Sequence, residues 1–162
     1  EVEIPKDRLI KKETINTQVW EEVRDAPFVI RTLQWLDQYM DKGSADLPPL
    51  HIYGSPFRLT VWTSLLDIPL GKTWTYTELA KIVHAKSSHQ PDQTSLQSST
   101  SHHKSDFPQL FIRSVAAAVA HNPLSVLLPC HRVIGSSGNL CGYAGGIERK
   151  IALLAHEGAV LL

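Results

Sequence analysis

The apolar positions of residues 26–42 repeat at the spacing of one helix face. Every third or fourth residue on this face is apolar, and the four are Val29, Leu33, Leu36 and Met40. The spacing predicts an amphipathic helix, and Gly43 suits its end. The glycine- and proline-containing residues 43–54 indicate a linker that leads into a short extended piece.

Two further helices are predicted from their start signals as well as from their apolar faces. Ser55 suits the N-cap and Pro56 the first position of one helix. Its buried residues would be Phe57, Val61, Trp62, Leu65 and Leu66. Thr75 and Glu78 have the spacing of a capping box, which predicts a helix over residues 75–85. The apolar face of that helix would consist of Leu79, Ile82 and Val83, and the helix would be the first half of a helix-turn-helix if another packs across it.

Residues 86–106 follow no apolar pattern. Seven of them are Ser and three are His, and Leu96 is the only large apolar residue. Such a segment buries too little apolar surface to offset the entropy lost on ordering, so we predict a flexible insertion between two helices. The spacing of its histidines fits no ordinary metal site.

The pattern of residues 109–121 predicts a helix that carries large side chains on one side and small side chains on the other. One side carries Leu110, Val115 and Val119, and the other carries the small residues Ser114, Ala116, Ala117 and Ala120. Small side chains permit the close approach of another surface. That surface would be either the protein core or the wall of a narrow groove into which the helix is pressed.

The last part of the chain combines an extended run with a final helix. Residues 124–134 are apolar and β-rich, but Pro129 interrupts them and favours a turn there. Residues 136–139 indicate another turn. Residues 146–157 predict a helix that ends at Gly158, and its inward residues would be Ile147, Ile151, Leu153 and Leu154.

Composition restricts the class of protein. The chain has 162 residues, of which 43% are hydrophobic and 20% charged, and this balance excludes disorder throughout. No apolar run is long enough for a membrane span, and the charged start lacks an apolar signal core, so secretion is not expected. Two cysteines do not make a disulfide scaffold and favour a reducing compartment. The net charge is −3 for residues 1–57 and +3 for residues 58–162, which permits a nucleic-acid partner without requiring one.

Cys130 is the strongest candidate for chemistry. A buried cysteine is usually a small hydrophobic residue, and this alternative stays open. Pro129 before it favours a turn, however, and His131 and Arg132 directly after it are poor choices for an apolar core. A positively charged or hydrogen-bonding neighbour lowers the pKa of a thiol and so favours the reactive thiolate.

Two other residues bear on this candidate. A third group should orient the imidazole, and Glu157 near the end of the final helix is available, although a Glu at that position usually faces solvent. Cys141 is the second thiol. A zinc site of Cys130, His131 and Cys141 lacks a fourth ligand and any Cys-x-x-Cys spacing, so no metal is expected.

These residues stand in a context that resembles the O6-alkylguanine-DNA alkyltransferases. Residues 129–133, Pro-Cys-His-Arg-Val, match the active-site signature of that family. Residues 54–80 are similar to the stretch that leads into its helix-turn-helix, and residues 113–134 to its recognition helix, asparagine hinge and active-site strand. Residues 136–158 resemble its pocket loop and closing helix. The insertion departs from the family, which has a tight turn there.

The resemblance implies an α/β fold and a role for each matching residue. A winged helix-turn-helix-like domain over residues 54–162 would follow a short helical and β lobe over residues 1–53. The residues of the transfer would be Cys130 as alkyl acceptor, His131 as its base through a water, Glu157 as the group that orients the imidazole, and Asn122 as the hinge. The DNA-binding residues would be Arg113, which fills the vacated space in the base stack, Tyr76, which presses on the target phosphate, and Ser114 and Ala116 at the minor-groove surface. The pocket for the guanine would consist of Tyr76, Tyr143 and the backbone of Val133 and Ala144.

The implied function is the repair of double-stranded DNA that contains O6-alkylguanine. The resemblance implies base flipping, a single irreversible transfer to Cys130, no cofactor, no membrane, an intracellular monomer, and action in the cytoplasm or nucleus according to the source. Two alternatives remain at this point. One is a non-catalytic binder of alkylated DNA on the same fold, which Cys130 argues against. The other is a cysteine hydrolase that uses Cys130 and His131, although no oxyanion hole is indicated.

Overall fold

The fold is given by a computed structural model that describes residues 27–42, 46–88, 108–140 and 142–159. The chain divides into two compact units, residues 1–53 and residues 54–162. The elements in chain order are α1 (Pro27–Lys42), α2 (Pro56–Leu65), β1 (Trp74–Thr75), α3 (Tyr76–Ser88), α4 (Gln109–Ala120), a one-turn 3-10 helix (Cys130–Arg132), β2 (Val133–Ile134) and α5 (Ile147–His156). The predicted combination of helices with a small sheet is confirmed. None of the described helices is both long enough and apolar enough to cross a membrane.

Helix α1 belongs to the first unit and buries a different face from the predicted one. Trp35 and Tyr39 are its buried residues, and their rings stack with centroids 5.2 Å apart. Leu33 and Met40 of the predicted face are 54% and 58% exposed. Because two large aromatic rings bury more apolar area than aliphatic side chains do, they decide which face turns inward. The expectations for residues 1–26 lie outside the described residues.

The predicted start of α2 is confirmed. The Ser55 hydroxyl accepts a hydrogen bond from the Arg58 backbone N–H at 3.4 Å, and Pro56 occupies the first turn. The buried residues of the predicted face are Val61, Trp62 and Leu65, whereas Phe57 and Leu66 are only half-buried.

The capping box at the start of α3 is also confirmed. The backbone N–H and the hydroxyl of Thr75 donate to Glu78 Oε2 at 2.7 and 2.9 Å, and the Glu78 N–H donates back to the Thr75 hydroxyl at 3.2 Å. Helix α3 then continues to Ser88, three residues into the predicted insertion. The hydroxyls of Ser87 and Ser88 donate to carbonyls one turn earlier, so these polar residues are accommodated within the helix. Residues 89–107 lie outside the described part of the chain.

Helices α2, α3 and α4 pack against one another and form the core of the second unit. The Trp62 indole N–H donates to the Ala118 carbonyl at 2.8 Å and so attaches α4 to α2. The buried positions of α4 are Val115, Ala118 and Val119, but Leu110 of the predicted apolar side is 77% exposed. That part of the prediction is wrong because the inward face continues through half-buried residues 111 and 112 instead.

The sheet consists of β1 and β2, which run parallel, with Trp74 opposite Val133 and Thr75 opposite Ile134. The turn predicted at Pro129 is confirmed, but the rest of the apolar run over residues 124–134 is less extended than its β-rich composition suggested. The strand is two residues long, and the residues before it form an isolated bridge between Ser125 and Leu128 and then the 3-10 turn. The pairing of β1 with β2 places the start of α3 beside the 3-10 helix that contains Cys130.

Helix α5 buries Leu154, as predicted, but its buried face also contains two polar residues that the apolar pattern did not include. Lys150 and Leu154 are fully buried and Glu157 is nearly so, whereas Ile147 and Ile151 are 41% and 42% exposed. The three buried residues share one side because they are four and three positions apart. Two polar groups therefore face the interior of this unit, where the prediction placed isoleucines.

Replacing Trp62 with Phe should lower the free energy of unfolding by about 2 kcal/mol, as measured by urea denaturation. The change removes the donor to the Ala118 carbonyl and leaves a cavity beside α4. The control Leu110→Ala should change stability by less than about 0.5 kcal/mol, because Leu110 is 77% exposed. Equal effects of the two changes would contradict this account of how α4 is anchored.

Candidate active site

Cys130 begins the 3-10 turn directly after Pro129 and is 7% exposed. Its backbone N–H donates to the Leu128 carbonyl at 2.7 Å, and the Arg132 N–H donates to the Pro129 carbonyl at 3.0 Å. Pro129 has no N–H, so it interrupts strand pairing without leaving an unsatisfied donor. The turn therefore fixes the sulfur at the edge of the core.

Burial raises the pKa of the Cys130 thiol. Hydrogen bonding by Asn122 and Ser125 and the positive charge of Lys150 lower the pKa, but burial outweighs them. The sequence-based expectation of a lowered pKa is therefore wrong in direction. The thiol is protonated at neutral pH, so sulfur chemistry at Cys130 requires a base nearby.

His131 is the candidate for such a base. Its ring is fully buried, and its Nε2 lies 2.8 Å from Oε1 of Glu157, whose side chain is also fully buried. Because a carboxylate only accepts, Nε2 carries a hydrogen, and in the neutral form of this tautomer the lone pair lies on Nδ1. The Nδ1 atom is buried and has no hydrogen-bond partner among the described residues. The expectation that Glu157 faces solvent, taken from its place near a helix end, is wrong.

Arg132 holds the same carboxylate from another side. Its Nε donates to Glu157 Oε2 and its Nη2 to Glu157 Oε1, both at 2.8 Å. Its Nη1 donates to the Ile68 carbonyl at 2.7 Å, in the segment after α2. The sequence marked Arg132 only as a residue unsuited to an apolar core.

Lys150 is the second residue that sequence reasoning missed. It is fully buried on α5, and its ammonium donates to the Val133 carbonyl at 2.5 Å. Its positive charge lowers the pKa of the Cys130 thiol and so opposes part of the effect of burial. Its position one turn before Leu154 and two turns before Glu157 was the available signal, because it puts all three on one helix face.

Asn122 closes the loop that leads to Cys130. Its Nδ2 donates to the Leu128 carbonyl at 2.8 Å, and its Oδ1 accepts from the Leu124 N–H at 3.0 Å. Within this loop Val126 has a φ of 74°, a left-handed conformation that a β-branched residue rarely adopts. The bonds of Asn122 at both ends of the loop hold it in that shape.

Of the two predicted pocket tyrosines, Tyr143 lies near Cys130 and Tyr76 lies near Gly142. Burial raises the pKa of Tyr143, and the charge of Cys130 adds to this effect, so the phenol and the thiol are electrostatically coupled. Gly145 lies so close to the Tyr143 ring that an added Cβ would be 2.7 Å from it. Gly142 has a φ of +72°, and a Cβ there would lie 3.3 Å from the Tyr76 hydroxyl. The predicted pocket residues Tyr76, Tyr143 and Val133 thus lie around one turn, whereas Ala144 is exposed.

Three of the four residues predicted to contact DNA lie on α4, and the fourth, Tyr76, begins α3. Arg113 and Ser114 are exposed, and Ala117 is exposed on the same side, one turn after Arg113. Ala116 is half-buried and contributes less to this surface. This side of α4 therefore presents small side chains together with the cationic side chain of Arg113.

The described part of the chain contains no cluster of three His, Cys, Asp or Glu residues that could hold a metal ion. Cys141, the remaining member of the zinc alternative, lies outside the described residues.

Residues 56–159 match the family model of the 6-O-methylguanine DNA methyltransferase, DNA binding domain. The matched range contains the cysteine turn, the buried His131–Glu157 pair and the packed helices α3 and α4. The chain belongs to this family. The family was expected from the Pro-Cys-His-Arg-Val signature and its flanking blocks, and this prediction is confirmed.

Similar proteins of known name agree with the family. A methylated-DNA–protein-cysteine methyltransferase of Shigella flexneri is 37% identical over 117 residues, which are 72% of this chain and 55% of that protein. The protein of the same name from Mycobacterium tuberculosis strain H37Rv is 39% identical over 108 residues, which are 67% of this chain and 52% of that protein. The chain thus spans about half the length of these relatives.

A crystal structure of Mycobacterium tuberculosis OGT in complex with DNA has the same fold. Its TM-score is 0.62 and its sequence identity 34%, and the match covers 80% of this chain and 67% of that one. The α/β alkyltransferase fold that the resemblance implied is therefore confirmed.

Replacing Gly142 with Ala should lower the free energy of unfolding more than replacing Gly146 with Ala. Both glycines have positive φ, at +72° and +89°, so both changes should cost about 1–2 kcal/mol in the backbone. Only a Cβ at Gly142 meets the Tyr76 hydroxyl, whereas nothing lies within 4 Å of one at Gly146. Urea denaturation of both variants should show the difference, and equal losses would contradict close packing of Tyr76 against this loop.

Proposed function

We propose that this chain repairs double-stranded DNA by transferring the alkyl group of an O6-alkylguanine to its own Cys130. The observation that carries the proposal is the buried imidazole of His131. Its Nε2 is fixed by Glu157, and its Nδ1 has no partner among the described residues. A buried polar atom without a partner is costly in a merely structural role, but it is what a base needs.

The first step is the removal of a proton from the sulfur. Burial raises the pKa of Cys130, so the resting thiol is protonated. His131 Nδ1 takes the proton through a water, and the imidazolium is stabilised by Glu157. The Lys150 charge and the hydrogen bonding of Asn122 stabilise the thiolate that results. Burial thus keeps the Cys130 thiol protonated until His131 accepts its proton.

The second step is an in-line displacement. The thiolate sulfur attacks the alkyl carbon, a C–S bond forms and the C–O6 bond breaks. The electron pair of that bond stays with guanine, which the Tyr76 hydroxyl stabilises by a hydrogen bond. The proton that His131 took from Cys130 returns to the guanine by way of water and the Tyr76 hydroxyl, so the base leaves as neutral guanine. The product is a thioether on Cys130, which nothing in this mechanism reverses, so each molecule acts once.

DNA binding would use the exposed side of α4. Because O6 of a paired guanine lies inside the duplex, the nucleotide must be flipped out, at a cost of a few kcal/mol. Arg113 would offset part of that cost by filling the space left in the stack. Ser114 and the small residues beside it permit α4 to enter the narrow minor groove, whose readout depends little on sequence.

The proposal places the protein inside the cell, where the DNA is. It also favours catalysis over the two alternatives. A non-catalytic binder of alkylated DNA does not need a cysteine with a buried base and carboxylate beside it. A cysteine hydrolase would need donors for an oxyanion, and no observation favours that class.

Mixing the protein with DNA that contains O6-methylguanine should increase its intact mass by about one methylene group. Peptide mapping should locate the gain on Cys130, because that sulfur is the acceptor. Cys130→Ala should show no gain and should still bind the lesion-containing DNA. DNA with unmodified guanine is the control, and an unchanged mass of the wild-type chain, or a gain that persists in Cys130→Ala, would refute the proposal.

A further inference from the structure

We propose that Arg132 is a positioning residue for the transfer, which fixes the Glu157 carboxylate and thereby sets the orientation of His131 and the net charge that faces it. This role rests on the proposed function. Arg132 does not reach the reacting atoms through the contacts described, and its effect passes through Glu157 and His131.

The geometry of the guanidinium supports this role. Two of its N–H groups donate to the two oxygens of Glu157, each at 2.8 Å, as a planar fork. Such a fork fixes the carboxylate plane, which a single hydrogen bond would leave free to turn. Oε1 is then presented to Nε2 of His131, and the imidazole is held in one orientation.

A third N–H group of Arg132 fixes the position of the guanidinium. Nη1 donates to the Ile68 carbonyl at 2.7 Å, in the segment after α2. The same segment meets the end of α5 at a second point, because a Cβ on Gly71 would lie 2.8 Å from the Glu157 carbonyl oxygen. Glu157 is therefore held through its side chain and packed closely through its backbone, which is more than an isolated surface ion pair provides.

The charge of Arg132 has a separate effect. Glu157 alone would strongly favour an imidazolium at His131, and the guanidinium offsets part of that attraction. Lys150, whose charge lowers the pKa of the Cys130 thiol, and Tyr143, whose pKa the charge of Cys130 raises, are the other titratable groups that act with Cys130. Removing the positive charge of Arg132 should therefore move the pH dependence of the chemistry at Cys130 upward.

Two variants separate charge from geometry. Arg132→Gln removes the charge, and Arg132→Lys keeps the charge but removes the fork. Each would be tested by the pH dependence of iodoacetamide labelling at Cys130, resolved by peptide so that Cys141 does not interfere, and by the pH dependence of single-turnover methyl transfer from DNA.

For Arg132→Gln we expect the half-maximal pH of both reactions to move upward by about one unit or more. For Arg132→Lys we expect the half-maximal pH to stay near that of the wild type while the maximal transfer rate falls about tenfold, because the carboxylate is no longer fixed. The control is Lys86→Gln, which breaks an exposed ion pair with Asp67, the neighbour of Ile68, at 2.6 Å. It should change neither quantity.

The proposal is overturned if Arg132→Gln lowers the rates of labelling and transfer by the same factor at every pH, because a purely structural role would give that result. It is also overturned if Arg132→Lys transfers at the wild-type rate. Should Arg132→Gln fail to fold, Arg132→Lys decides. Labelling needs no DNA, so a wild-type chain that labels normally but transfers nothing would refute the proposed function, and the half-maximal pH of Arg132→Gln would still test Arg132.

Discussion

The second unit depends on one buried carboxylate. The side chain of Glu157 has no exposed surface, and a charge taken out of water costs several kcal/mol unless partners surround it. Arg132 and His131 supply those partners from the 3-10 turn. Because the same guanidinium also binds the Ile68 carbonyl, the end of α5, the cysteine turn and the segment after α2 are joined at one point. The site could not be loosened at any of these places without leaving a buried charge poorly paired.

The small sheet links this point to the surface proposed to bind DNA. Strand β1 runs directly into α3, and strand β2 directly follows the cysteine turn. Their pairing places Tyr76, the first residue of α3, next to the loop that contains Gly142. Helix α4 is fastened to the same core through Trp62. The groups that would bind the nucleotide and the group that would react with it thus share one rigid support.

Features that depend on residues close in sequence could be predicted from the sequence, whereas features that depend on contacts between distant residues could not. The N-cap at Ser55 and the capping box of Thr75 and Glu78 involve residues three positions apart, so their pattern carries the whole interaction. The burial of Lys150 depends on the Val133 carbonyl, which is distant in sequence, and helix periodicity favoured Ile151 instead. Pro129 indicated a turn, but the length of the strand after it was set by pairing with β1. The Pro-Cys-His-Arg-Val signature indicated the chemistry, whereas the raised pKa of its thiol follows from burial, which only the fold determines.

The unusual backbone of Val126 shows how little of this site resides in the signature itself. A β-branched residue at a φ of 74° costs about 1–3 kcal/mol, and it persists only where surrounding contacts leave no alternative. Asn122 and the packed helices supply those contacts. A short synthetic peptide with the same five signature residues would lack them and relax into ordinary extended conformers. Its cysteine would then behave like any free thiol in water, so the reactivity proposed for Cys130 belongs to the assembled molecule.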